Sequence, residues 1–197
     1  TFCSNPTMWT NTWTVRDHVD AVDEIEYYVK KYGVQNIDFY DLTAVVRKKW
    51  MRDFCNLLIE RKLNITWQLP SGTRSEAIDK ELSTLLYQSG CRNMSYSPES
   101  GSPSVLKKIK KKITPDSMIK SMKGAVESNI NTKFNIIFGF PGETHFEIFQ
   151  TFLFIIRCAF IGVHDMAIWL FVPYPGSELF NQVRSEGKLK FDDDYFV

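Results

Sequence analysis

What this sequence lacks narrows it first. Its cysteines, Cys3, Cys55, Cys91 and Cys158, stand far apart, which excludes a zinc knuckle or a thioredoxin-type pair. Its histidines, His18, His145 and His164, show no metal-ligand spacing to one another. No sign of charge dominates either. Lys and Arg number 24 against 23 Asp and Glu, so no global field draws the chain to nucleic acid or to an anionic membrane. Long apolar runs are absent as well. The most apolar stretch, 146–162, carries Glu147, Gln150 and Arg157 and is short for a membrane span, so a buried amphipathic helix is expected there. Nothing resembles a secretory signal. The expected compartment is the reducing cytoplasm, with Cys55 and Cys158, both in apolar helical patterns, read as core residues.

What is present is an alternation of helix and strand over 197 residues, a length that suits one domain. Thr14, with Asp17 three residues on, reads as a helix cap. Val15, Val19, Val22, Ile25, Val29 and Tyr32 then recur at helical spacing, and Gly33 supplies the stop. Strands are expected over 36–41, 65–69, 93–97, 133–138 and 167–172. Helices are expected over about 47–62 and 79–89, after the Ser102-Pro103 and Thr114-Pro115 starts, after a Thr144/Glu147 capping box, and over about 177–186. Five strands, each followed by a helix, argue for parallel βαβ units. The expected fold class is α/β, a partial parallel (β/α) barrel.

In such barrels function gathers where the chain leaves the carboxyl ends of the strands. Those ends are polar or glycine-rich throughout: Tyr40, Asp41 and Thr43; Gln68, Ser71, Gly72, Thr73 and Arg74; Ser97, Glu99 and Ser100; Gly139, Pro141, Gly142 and Glu143; Pro173, Tyr174, Gly176 and Ser177. Glycines let backbone approach a ligand closely, and carboxylates can hold an ammonium or ribose hydroxyls. The plain alternative is that these residues only make turns and caps. For Gly139, Gly142 and Thr144 alone, that alternative is equally good. Phe39, Trp67, Phe138 and Trp169 fall on or beside strands and read as barrel core.

The order of these segments carries a resemblance. Thr1-Phe2-Cys3-Ser4-Asn5-Pro6 looks like the end of the cluster motif C-x-x-x-C-x-φ-C, where φ is aromatic. It is followed by Asn36 to Asp41, by Trp67 to Arg74, by Glu99-Ser100-Gly101-Ser102, by Ile137 to Thr144 and by Pro173 to Ser177. Together they resemble the catalytic core of radical S-adenosylmethionine (SAM) enzymes, of the class that carries an upstream cobalamin-binding domain. The resemblance implies a [4Fe–4S] cluster held by three thiolates with one iron left open, and SAM bound at that iron. It implies reductive cleavage of SAM to a 5′-deoxyadenosyl radical, which abstracts hydrogen from a small-molecule substrate of unread identity. A reductase such as flavodoxin or ferredoxin would supply the electron. Cobalamin would enter only through a domain absent from this chain.

Carried over residue by residue, the resemblance makes Cys3 the third cluster ligand and puts Phe2 near the adenine. Asp41 would hold the SAM amino group, and Glu99, with Ser100 beside it, the ribose or amino group. Backbone at Ile137 to Gly139 and at Val172 and Pro173 would line the adenine edge. Arg74 would pair with the SAM carboxylate or a substrate anion. The expectation is a core-domain fragment spanning 1–197, with five of six βα units and with the first strand and two cluster cysteines lying upstream of Thr1. The lost strand would leave an uncovered edge at Asn36 to Asp41. Two rivals stand beside this reading. The run Lys107-Lys108-Ile109-Lys110-Lys111-Lys112 invites a nucleic-acid role, as in tRNA methylthiotransferases that share much of this core, although a solvated helical turn is the preferred reading. The isolated chain could also be a non-catalytic barrel fragment acting as a scaffold.

Overall fold

The computed structural model describes residues 2–8, 12–41, 45–73, 77–190, 192 and 195. Its centre is a five-stranded sheet, all parallel, with β1 (Asn36–Asp38), β2 (Thr66–Thr73), β3 (Cys91–Glu99), β4 (Asn131–Phe138) and β5 (Asp165–Leu170) side by side in chain order. Sequential order in a parallel sheet places every crossover on the same side. The crossovers are α3 (Lys48–Glu60), α4 (Lys80–Gln88), then α5 (Pro103–Lys108) with α6 (Pro115–Val126), and α7 (His145–Phe160). Two helices precede the sheet, α1 (Asn5–Met8) and α2 (His18–Tyr32), and α8 (Glu178–Ser185) follows it. A sheet wound in one sense with helices on one side is the partial barrel expected from the alternation.

The two faces of the sheet differ because side chains alternate along a strand. Trp67, Leu69, Met94, Tyr96, Phe134 and Ile136 are buried in one cluster with Phe54, Leu58, Leu82, Leu86, Met122, Phe154 and Cys158 from the helices. Cys55, Cys91 and Cys158 are fully buried, as core cysteines should be. The other face is polar. Gln68 donates to Asp38 at 2.7 Å, Asn93 donates to Gln68 at 2.9 Å, and Lys133 pairs with Asp165 at 3.1 Å.

Several boundaries move. The cap of α2 is Asp17, whose carboxylate accepts from the Val19 amide at 2.8 Å, so the helix starts three residues after the Thr14 signal. Strands β2 and β3 run on through Pro70 and Pro98, because their register shifts by bulges at those ends and a proline needs no ladder bond there. Trp169 is 60% exposed rather than core, since its strand lies at the sheet edge and it points from the polar face. The Thr144–Glu147 capping box forms as read.

Candidate functional site

The carboxyl ends of β3, β4 and β5 carry the best-built polar geometry. Strand β3 ends in a bulge, and Glu99 takes the left-handed conformation there (φ 66°), which an ordinary side chain adopts only against strain. What holds it is Lys111. Its ammonium donates to Glu99 Oε1 at 2.7 Å and also to the Ser97 carbonyl, bridging the bulge. The Glu99 side chain is 10% exposed, and its Oε2 has no hydrogen bond among the described residues.

Lys111 reaches that point because of how α5 ends. Lys110 adopts φ 60°, and the Lys111 amide donates to the Leu106 carbonyl at 2.9 Å. That is a helix-ending turn of the Schellman kind, here without glycine. The basic run is therefore not simply a solvated turn. Lys108 pairs with Glu147 at 3.0 Å, Lys110 with Glu178 at 2.6 Å, and Lys111 with Glu99. Glu147 is buried, and hydrogen bonds from Ser104, the Thr144 amide and Lys108 hold its carboxyl down at about 2.

The β4 end is a loop that a carboxylate closes. Gly139 (φ 86°) donates its amide to Glu143 Oε2 at 2.7 Å, and a side chain at Gly139 would meet nothing within 4 Å, so glycine is there for its backbone freedom. Glu143 Oε1 is buried with no hydrogen-bond partner among the described residues. Buried carboxylate oxygens are rarely left so; this one is an acceptor to which a donor can be added.

The chain's first residues lie over this rim. Phe2 packs edge-to-face on Phe140 with ring centroids 5.7 Å apart, and Phe140 meets Phe171 at 5.1 Å. Half-buried Ile137 joins the same small apolar cluster. Thr7 donates to the Gly176 carbonyl at 2.9 Å, tying α1 to the loop after β5. Cys3 is exposed between these anchors, and its sulfur accepts the Asn5 amide at 3.3 Å. The Pro173 carbonyl accepts from the Tyr195 hydroxyl, and Val172 is exposed. Phe2, Cys3, Ile137, Gly139, Val172 and Pro173 thus gather at one end of the sheet.

Other expected site residues stand apart. The Ser100 hydroxyl is fully buried, shared with Thr151 at 2.9 Å, and accepts the Ser102 amide at 3.1 Å, so it serves the β3–α7 junction. Asp41 is exposed and lines a separate cavity of about 490 Å³, with Trp13, Arg16, Tyr28, Trp50 and Phe54 between α2, α3 and β1. Thr43 and Arg74 lie outside the described residues.

Of the polar face of the sheet, sequence reasoning singled out only Gln68. Gln68, Asn93, Asn135, Lys133 and Asp165 line a cavity of about 480 Å³ there, with Trp169 at its side. The signal existed in β4, where Asn131, Lys133 and Asn135 recur at every second residue.

An iron–sulfur cluster held by three thiolates asks for more than this chain's described residues provide. Cys3 is one exposed thiol. Burial pushes the thiols of Cys55 and Cys158 up to about 12 and that of Cys91 up as well, and all three sit in the helix-facing core. No group of three metal-ligating side chains forms among the described residues. The donor set therefore does not fit a cluster bound by this chain alone. SAM fits better: it is a cation rich in ammonium and hydroxyl donors, and the rim offers two carboxylate oxygens, Glu99 Oε2 and Glu143 Oε1, that lack donors among the described residues.

The family model of the Radical SAM superfamily matches residues 1–155. Among curated proteins, an uncharacterized methyltransferase of Pyrococcus horikoshii is 27% identical over 178 residues, covering 90% of this chain and 38% of that protein. The anaerobic magnesium-protoporphyrin IX monomethyl ester cyclase of Rubrivivax gelatinosus is 27% identical over 183 residues, covering 92% of this chain and 32% of that protein. The chain thus spans 32 to 38% of the length of these relatives. Among solved structures, the radical S-adenosylmethionine methyltransferase TsrM of Kitasatospora setae, with cobalamin and a [4Fe–4S] cluster bound, superposes with a TM-score of 0.74 at 16% identity, over 87% of this chain and 34% of that one.

Proposed function

Because the chain belongs to the radical SAM superfamily, we propose that it is the greater part of the catalytic core of an enzyme that cleaves SAM reductively and uses the resulting 5′-deoxyadenosyl radical to take hydrogen from a small-molecule substrate. Membership implies SAM and a [4Fe–4S] cluster as cofactors. The observation that carries the reading is the gathering of Phe2 and Cys3 over the carboxyl ends of β4 and β5, with the carboxylates of Glu99 and Glu143 at the ends of β3 and β4.

In this reading Cys3 supplies one thiolate and the others come from outside these residues. The Glu99 and Glu143 carboxylates accept from the ammonium and ribose hydroxyls of SAM. Backbone at Ile137 to Gly139 and at Val172 and Pro173 borders the adenine, with Phe2 against it. Asp41, which lines the 490 Å³ cavity, would hold the SAM amino group from there, and Arg74 would pair with the SAM carboxylate or a substrate anion. The polar face of the sheet, enclosed as a barrel interior, is where a substrate would sit screened from water. Cobalamin, bound in the Kitasatospora protein, would need a domain beyond this chain. The electron donor is a reductase such as flavodoxin or ferredoxin, and the compartment the cytoplasm; no helix among the described residues is long and apolar enough to cross a membrane.

Anaerobic reconstitution with iron and sulfide tests the assignment. The 197-residue chain should give no stable cluster, having one suitable thiol. The full-length protein should show thiolate-to-iron absorption near ~400 nm, lost on Cys3→Ala. A full-length protein that binds no cluster would sink the assignment.

A further inference from the structure

We propose that Lys111 is a positioning residue for SAM: it acts through Glu99, holding that carboxylate in the one orientation that leaves Oε2 for the ligand. The inference rests on the proposed role of Glu99 and adds a residue for which neither the motif nor its spacing gave a role.

Three observations carry it. First, Glu99 sits in the left-handed region, which a non-glycine residue keeps only when its surroundings hold it there; Lys111 is what grips both the Glu99 carboxylate and the Ser97 carbonyl on the other side of the bulge. Second, the grip is one-sided. The ammonium takes Oε1, and Oε2 has no hydrogen bond among the described residues although the side chain is only 10% exposed. A nearly buried carboxylate with one oxygen anchored and one open is arranged to receive a donor. Third, Lys111 is itself delivered by a fixed turn rather than by a flexible stem alone. The left-handed Lys110 and the Lys111 amide bond to Leu106 set its backbone, and Leu106 is buried. A surface lysine serving only solubility needs none of this.

Removing the ammonium takes away the contact that orients Glu99, whereas arginine keeps a cationic donor within reach.

The test uses full-length protein, reconstituted anaerobically and left unreduced, with SAM as the titrant. Four variants are compared with the parent: E99Q, K111M, K111R and the double variant E99Q/K111M. Melting temperatures are recorded for each. Losing a charge-assisted hydrogen bond corresponds to ~10-fold or more in affinity. K111M is expected to weaken SAM binding by about that factor, K111R to restore it to within ~3-fold, and the double variant to bind no worse than E99Q, because Lys111 acts through Glu99. If K111M unfolds, the double variant, which leaves no unpaired buried charge, must still fold and match E99Q. Loss in E99Q with parent-like binding in K111M overturns the inference and leaves the Glu99 role standing. Additive losses in the double variant also overturn it, since Lys111 would then act independently. Parent-like binding in E99Q overturns both.

Discussion

At the scale of single residues, two positions separate a structural role from a ligand-binding one. Gly101 belongs to the Glu99-Ser100-Gly101-Ser102 segment that carries the family resemblance, yet its reason is packing. A Cβ there would lie 2.3 Å from Phe154 Cβ and 2.9 Å from Thr151 Cα of α7. Neither neighbour is the far end of a flexible chain, so G101A forces α7 away from the strand end. Overpacking of this kind costs ~2–3 kcal/mol, and urea unfolding should show it as a lower midpoint with unchanged slope; a midpoint within error of the parent would show that α7 yields freely. Glu147 makes a different prediction. Its carboxyl is held at about 2 by Ser104, the Thr144 amide and Lys108, whereas in the unfolded chain it titrates near ~4.3. The folded state binds that proton more weakly, so acid favours unfolding. The stabilisation is complete above the unfolded value and fades as pH falls through it toward about 2. Melting temperatures of E147Q should therefore fall less steeply than the parent's as the solution is acidified from about pH 5. A parallel fall in both would remove Glu147 from the account.

At the scale of elements, the edges of the sheet matter more than the sequence suggested. The resemblance implied an uncovered edge at Asn36 to Asp41, and β1 is an edge strand, but only three residues long with one residue half-buried. The opposite edge is the apolar one. Ile168 and Leu170 of β5 are 53% and 79% exposed, and Phe160 of α7 is 87% exposed. Ile168 and Leu170 lie on the helix-facing side, aligned by register with Ile136 and Phe138. Patterning shows that a strand and a helix are apolar; it does not show whether anything covers them, because cover depends on what packs beyond. An unpaired apolar edge is a pairing and aggregation site. The triple variant F160S/I168T/L170T of the 197-residue chain should scatter less light and bind less hydrophobic dye. It should change stability by only about 0.5 kcal/mol, as exposed positions do. Undiminished scattering would place the sticky surface elsewhere, with β1 as the next candidate.

At the scale of the whole molecule, the sequence showed its architecture and the rim of its site, for one physical reason. Parallel βα repetition writes itself locally, as strand, polar turn, cap and helix, and each unit can be read without the others. Thus the five strands, the Thr144–Glu147 box and the last helix from about 177 were legible. What needed long-range geometry was not. The Lys111 grip spans a bulge and a helix end, and the carboxamide ladder of Asp38, Gln68 and Asn93 spans three strands. The same distinction bears on the nucleic-acid rival. As a string, Lys107 to Lys112 is a cationic patch. Folded, three of its five lysines, Lys108, Lys110 and Lys111, sit within 3.0 Å of Glu147, Glu178 and Glu99, and the chain as a whole carries a net charge of +1. Counterion release from a polyanion requires cations that are not already neutralised. Filter binding of the 197-residue chain to tRNA at about 150 mM salt should therefore show no tight complex, and little change as salt is lowered to about 50 mM. Tight binding that weakens steeply with salt would mean that tRNA outcompetes these carboxylates, and would turn the assignment toward an RNA-modifying radical SAM enzyme.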